Sequence, residues 1–111
     1  MELEIDGETF EVEVADSLLK RAWGLSLRKD GKMLFKFPRP VRAKIDMALL
    51  SEPLHLYFFD SEKKLIHKEY AVPWGWNPKT WKLYSPEKKY RYLLESFEEL
   101  GLEEGDKLDL S

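Results

Sequence analysis

Two short apolar runs that alternate at a period of two, Met1 to Ile5 and Glu8 to Val14, are separated by Asp6-Gly7. No other feature of the chain restricts its fold so tightly. Period-two alternation places the apolar side chains on one face of a strand. The Asp-Gly pair tolerates the positive φ angles of a type I′ turn, the tight connection between two antiparallel strands. The pairing follows: Ile5 faces Glu8, Leu3 faces Phe10 and Met1 faces Val12. Leu3, Ile5, Phe10, Val12 and Val14 then share one face, while Glu2, Glu4, Thr9, Glu11 and Glu13 share the other. Four glutamates on one face need water there, so the hairpin has one dry and one wet side. Residues 2 to 6 also read as an uncovered edge on which a second copy could pair, giving a monomer or a weak homodimer.

Further along, the apolar runs stay short. Asp16 can cap a short helix over residues 17 to 23, with Leu18, Leu19, Ala22 and Trp23 as one stripe and Gly24 as its stop. Residues 33 to 37 read as a strand ended by Pro38 and Pro40, and residues 41 to 50 as a strand interrupted by Asp46. Residues 54 to 59 and 65 to 72 form a hairpin turned by Asp60-Ser61-Glu62-Lys63. Residues 90 to 95 are a strand, Ser96-Phe97-Glu98-Glu99 has the capping-box pattern of a single helical turn, and Gly105-Asp106 turns into a last strand over 107 to 110. This is a mainly β chain with one or two short helices, expected to form a jelly-roll-like antiparallel β-sandwich or barrel. At 111 residues it has room for one core and one domain, residues 1 to 111.

What the side chains can do is bounded by what is missing. There is no Cys, which excludes disulfides, thiol redox chemistry and cysteine nucleophiles. His55 and His67 lie on the two arms of a predicted hairpin, and Asp46 or Glu69 could complete a weak metal site only if the register brought them together. A loop pairing Asp60 with Lys63 puts His67 opposite Leu56. One pairing Asp60 with Lys64 puts it opposite Tyr57, on the face of His55. Two histidines by coincidence is the simpler reading, and neither a metal nor a cofactor is expected. No Gly-rich phosphate loop and no Ser/His/Asp pattern occurs, so no enzyme chemistry is demanded. A hydrolase would have to use carboxylates such as Asp46 and Asp106. Asp106 reads more simply as a turn residue accepting backbone amides while Gly105 supplies a left-handed conformation. Glu95, at a strand end beside a helix start, need be neither acid nor base. An acidic N-terminus and no apolar run of about 18 residues point to the cytoplasm and away from a membrane. The polar set, with no Gln, one Asn and two Thr among many Lys and Glu, is thermophile-like.

Charge and aromatic residues are distributed unevenly. Residues 28 to 44 hold seven bases and one acid, whereas residues 95 to 109 hold seven acids and one base. The simple expectation is that the two segments lie together and neutralise each other. The alternative is a polyanion or nucleic-acid binder through the basic segment 28 to 44, although a net charge of −3 argues against a dedicated nucleic-acid protein. Residues 73 to 86 contain three of the four tryptophans and three of the six prolines. Trp74, Trp76 and Trp81 could form a stacking platform. The competing reading has these rings buried, closing one mouth of the sandwich and pinning a long loop.

The order of landmarks resembles domain of unknown function 192, a family of small, mostly uncharacterised prokaryotic proteins. Arg21-Ala22-Trp23-Gly24-Leu25 is similar to its Arg-x-x-Gly-Leu-Met. Lys32-Met33-Leu34-Phe35-Lys36-Phe37 is similar to Gly-Met-Leu-Phe-x-Phe, with Lys32 in place of the leading Gly. Pro53-Leu54-His55-Leu56-Tyr57-Phe58 resembles Pro-Leu-Asp-Ile-Ile-Phe, Leu93-Leu94-Glu95 resembles Val-Leu-Glu, and Gly101-Leu102-Glu103-Glu104-Gly105-Asp106 resembles Gly-Leu-x-x-Gly-Asp. The chain departs from the family's Phe-Trp-Met-Lys-Asn-Thr at Ile45-Asp46-Met47-Ala48-Leu49-Leu50, and from its aspartate at His55. The resemblance therefore implies a small β-sandwich more firmly than any site, and fold alone implies no reaction. The expected function is a small binding or accessory module rather than an enzyme, taking an unknown small ligand or protein partner. Its most ligand-like surface combines Trp74, Trp76 and Trp81 with Lys36, Arg39 and Arg42.

Overall fold

The computed structural model describes residues 1–15, 30–48 and 50–110. Eight strands follow in order: β1 (Glu2–Ile5), β2 (Glu8–Glu11), β3 (Glu13–Ala15), β4 (Lys32–Val41), β5 (Leu54–Phe59), β6 (Leu65–Ala71), β7 (Tyr90–Ser96) and β8 (Leu108–Asp109). They form a three-stranded sheet ordered β2-β1-β8 and a five-stranded sheet ordered β3-β4-β7-β5-β6. Pairing is antiparallel throughout except between β3 and β4, which run parallel. The helix expected over residues 17 to 23 lies outside the described residues. Among those described, the helical element is one 3₁₀ turn, Pro78–Thr80.

The first hairpin forms in the register its turn dictates: Ile5 pairs with Glu8 and Leu3 with Phe10. Asp6 and Gly7 both have positive φ, 51° and 82°, as a type I′ turn requires. Two expectations for this segment are corrected. β1 lies between β2 and β8, so residues 2 to 6 are not an edge. Val14 does not join the buried face and is 47% exposed, because the chain crosses after Val12 to become edge strand β3 of the larger sheet.

The five-stranded sheet is the middle layer. On one face, Leu34, Tyr57, Phe59 and Leu94 pack against Leu3, Ile5 and Leu108 of the small sheet, with Leu100 and Leu102 closing the cluster. The opposite face presents Met33, Phe35, Leu56, Phe58 and Leu93, over which Ile45, Met47, Leu50 and Tyr84 lie. Removing apolar surface on both faces of one sheet is the main driving force available to a chain without cysteine.

Residues 41 to 48 are extended and alternate in burial, but after Val41, which ends β4 opposite Tyr90, only Ile45 pairs, in an isolated bridge to Tyr84. Asp46 does not interrupt this run. It takes the outward phase of the alternation and accepts the Ala48 N–H at 3.1 Å. β4 also continues through Pro38 and Pro40 as a register irregularity between Lys36 and Val41. The Arg91 guanidinium satisfies the carbonyls left there, donating to Phe37 O at 3.2 Å and Pro38 O at 3.3 Å.

Ser96-Phe97-Glu98-Glu99 forms no capping box. The Ser96 hydroxyl accepts the Glu98 N–H and donates to Glu98 O, while the Glu99 carboxylate accepts the Gly101 N–H. Asp106 takes the turn role expected of it: its Oδ2 accepts the Glu103 N–H at 2.9 Å, and Gly105 has φ +96°.

Candidate ligand-binding surface

The histidines do not form a site. The β5–β6 hairpin starts with Asp60 N–H donating to Lys64 O, and Phe59 pairs with Leu65. A bulge at Ile66 then shifts the register, so that His67 pairs with Phe58 and His55 with Tyr70. One residue of slip moves a side chain to the other face of a sheet. His55 and His67 therefore sit on opposite faces, and the expected alternatives, Leu56 or Tyr57 opposite His67, are both corrected. His67 instead meets Glu69 at 2.9 Å beside a groove of about 740 Å³ that Ser85 and Lys88 also line. Among the described residues no three His, Cys, Asp or Glu side chains converge as metal ligands. Asp46 and Asp106 lie in different layers, one over the Phe58 face of the large sheet and the other leading into β8 of the small one.

The tryptophan loop, by contrast, is built in detail. It leaves β6 at Ala71 and is fixed at both ends. Val72 N–H donates to the Tyr84 hydroxyl at 3.2 Å, and Tyr84 exchanges two 2.8 Å backbone bonds with Ile45. At its tip Asn77 caps the 3₁₀ turn by accepting the Lys79 N–H, with Pro78 at the first helical position. The Thr80 hydroxyl donates to Asn77 O at 2.7 Å and accepts the Gly75 N–H at 2.8 Å. The indole N–H of Trp74 donates to Lys82 O and that of Trp81 to Gly75 O, at 3.0 and 2.9 Å. Their rings lie 6.4 Å apart with planes 33° from parallel.

Burial of these rings does not follow the sequence expectation. Trp74 is half-buried against the Phe58 face of the sheet, but Trp81 is 56% exposed and Trp76 fully exposed at 101%. Leu83, at 54%, continues the apolar surface.

The basic residues also depart from the simplest reading. Lys32 pairs with Glu98 at 2.8 Å, but among the described residues no ion pair involves Lys36, Arg39, Arg42 or Lys44. The topology explains this. β4 runs antiparallel to β7, so only its first two residues, Lys32 opposite Ser96 and Met33 opposite Glu95, lie beside the acidic segment. Its far end meets Tyr90, in a stretch that carries Lys88, Lys89 and Arg91. Beyond it, Tyr90 Oη donates to Ala43 O at 2.6 Å, and the Ile45–Tyr84 bridge sets Lys44 next to the loop that carries Lys79 and Lys82. Like charges thus gather at one pole. Val41, Ala43 and Ile45 turn inward, which aims Arg42 and Lys44 out. Lys36 leaves β4 on the other face, opposite Tyr92, apart from the tryptophans. Arg28 and Lys29 lie outside the described residues.

A reading confined to residues 28 to 44 misses Lys79, Lys82, Lys88 and Lys89. The signal available was the antiparallel order itself, since a basic strand end must then face whatever starts its partner. Glu95 is likewise not at a solvated strand end. It is 1% exposed on β7, between Met33 and Leu56 in register.

A two-sheet β-sandwich with a rigid aromatic loop at a basic pole places the molecule in the class of small β-sandwich proteins. The chain belongs to the family described as uncharacterised ACR, domain of unknown function 192, whose pattern matches residues 1–110. A UPF0127 protein of Pyrococcus abyssi is 31% identical over 106 residues, spanning 89% of this chain and 85% of that one. Another, from Pyrococcus horikoshii, is 29% identical over 106 residues, 88% and 85% of the two chains. These relatives come from thermophilic archaea, in keeping with the amide-poor, charge-rich composition. Two crystal structures share the fold. One is a protein of unknown function from Novosphingobium aromaticivorans (TM-score 0.78, 18% identity, 98% of this chain and 84% of that one). The other is a provisionally labelled transcription regulator from Sinorhizobium meliloti (TM-score 0.73, 25% identity, 97% and 92%). No described helix is long and apolar enough to cross a membrane.

Proposed function

We propose that this single-domain chain is a binding module that captures an anionic partner at the pole where the far end of β4 meets the tryptophan loop. One observation carries the reading. The segments 39–46 and 76–91 hold eight Lys and Arg against only Asp46 and Glu87, within a chain of net charge −3. Concentrating cations against the sign of the whole molecule raises the local field where an anion would approach. Among the described residues no ion pair links these cations to the 95–109 segment; Lys32–Glu98 lies at the opposite end of β4, and Glu104 approaches only at the groove it lines together with Lys88. The label carried by the Sinorhizobium meliloti relative favours a polyanion among anionic partners. A cytoplasmic setting fits a chain with no Cys.

Polyphosphate tests the reading. Retention on immobilised polyphosphate should fall steeply as salt rises, because each neutralised phosphate releases a counterion. Arg42→Glu with Lys82→Glu should abolish it, whereas Lys63→Glu, in the β5–β6 turn, should not. Retention that ignores salt, or survives the double charge reversal, sinks the reading.

A further inference from the structure

We infer that the polyanion this pole accepts is a single-stranded nucleic acid, with bases stacked on Trp76 and the outer face of Trp81 and phosphates on the adjoining bases. The inference rests on the proposal above and adds what the indoles contribute. Trp76 stands fully exposed on a loop whose backbone is held by the Asn77, Thr80 and Gly75 hydrogen bonds, so stacking has to order the indole's own torsions but not the loop beneath it. Trp81 offers a second, half-open ring.

Both Trp74 and Trp81 spend their N–H groups on loop carbonyls, and the Asn77 side chain accepts from Lys79. What remains for a ligand is π surface and the single indole N–H of Trp76, too few aimed polar groups to read base edges. Such a surface binds any unpaired base and discriminates poorly among them. Duplex DNA fits badly, because its bases present no face. Groove readout also needs a helix or a two-stranded ribbon, and here the projecting element is a loop with a 3₁₀ turn.

The arrangement of cations favours a strand over a lipid surface. Arg42 and Lys44 lie in a row on the outward phase of residues 41 to 48, which the Ile45–Tyr84 bridge sets beside the loop rather than around it, and Arg39 precedes them in the irregular end of β4. A line of cations next to stacking rings matches a linear polymer of alternating phosphates and bases.

The test uses the full chain and its tryptophan fluorescence, titrated with a thymidine homopolymer of about twenty nucleotides, with polyphosphate, and with phosphatidylserine vesicles. The homopolymer should bind more tightly than polyphosphate and quench the emission. Trp76→Ala should weaken it roughly tenfold or more without changing the salt slope, since it removes stacking and no charge. Arg42→Glu should flatten that slope. Because the Trp76 ring is fully exposed, its removal leaves the core intact. If polyphosphate binds as tightly as the homopolymer, or Trp76→Ala has no effect, the inference fails while the anion-binding proposal stands. Tighter, blue-shifted binding to the vesicles overturns it in favour of lipid. Binding to no polyanion overturns both.

Discussion

Ile45 and Tyr84 exchange two backbone hydrogen bonds of 2.8 Å, although neither belongs to a strand. This bridge joins the basic segment to the tryptophan loop, and the Tyr84 ring is buried on the Phe58 face of the large sheet. Tyr84→Ala is expected to cost about 3–5 kcal/mol, as aromatic truncations in cores do. Tyr84→Phe, which loses only the bond from Val72 N–H, should cost about 1 kcal/mol. Urea unfolding measures both. An alanine variant as stable as the parent would mean that the loop is anchored elsewhere.

Tyr57 accepts the buried Leu100 N–H at 3.0 Å. Tyr57→Phe leaves that donor unmatched and should cost about 1–3 kcal/mol. Burial pushes the Tyr57 hydroxyl above its ordinary value of 10.0, the Leu100 N–H opposes the shift, and the Glu99 charge adds to it. The unfolded chain therefore gives up this proton first as pH rises. The stabilisation is whole below pH 10.0, then declines until the folded group ionises. The stability gap between parent and Tyr57→Phe should narrow through that alkaline range. A gap constant with pH would contradict the assignment.

On the surface, the Lys32 ammonium bonded to Glu98 holds that carboxyl below its ordinary 4.5, through the hydrogen bond first and its charge second. A depressed carboxylate stabilises the fold above its unfolded value and loses that effect as pH falls through the folded one. Carbon-detected NMR titration should place Glu98 below 4.5 in the parent and return it toward 4.5 in Lys32→Met. The same titration point in both proteins would dismiss the pair.

At the turn into β8, Gly105 has φ +96°, with open space where a Cβ would stand. Gly105→Ala should therefore cost about 1–2 kcal/mol from backbone strain alone. Asp106→Ala, which removes the acceptor of the Glu103 N–H, should cost about 0.5–1.5 kcal/mol. Neither should weaken polyphosphate retention, because neither removes a cation or an indole of the proposed surface. Thermal melts and the retention assay decide together.

The fold was legible where local chemistry fixes geometry. Asp6-Gly7 specifies its turn, the turn specifies the register, and the register specifies which of Leu3, Ile5 and Phe10 face inward. Gly105-Asp106 was legible for the same reason. The position of His67 was not, because the bulge at Ile66 carries no glycine, and the loop's positive φ falls on Lys63, a residue that rarely advertises one. Ser96 resembled a helix cap because the pattern is local, whereas the lack of a helix there is set by packing of Leu100 and Leu102 under the small sheet. The candidate surface was half legible. Trp74, Trp76 and Trp81 announced themselves, but their exposure depended on hydrogen bonds within the loop. The failure of opposite charges to meet depended on which end of β7 faces the far end of β4.

β7 lies between β4 and β5, yet it is the last of the five strands in that sheet to occur along the chain. Until Tyr90–Ser96 has left the ribosome, β4 and the β5–β6 hairpin each present an unpaired backbone rim and have nothing between them to bind. Folding of the large sheet must therefore wait for residues 90 to 96, and a nascent chain stalled before Tyr90 should be a substrate for chaperones rather than a partly formed domain.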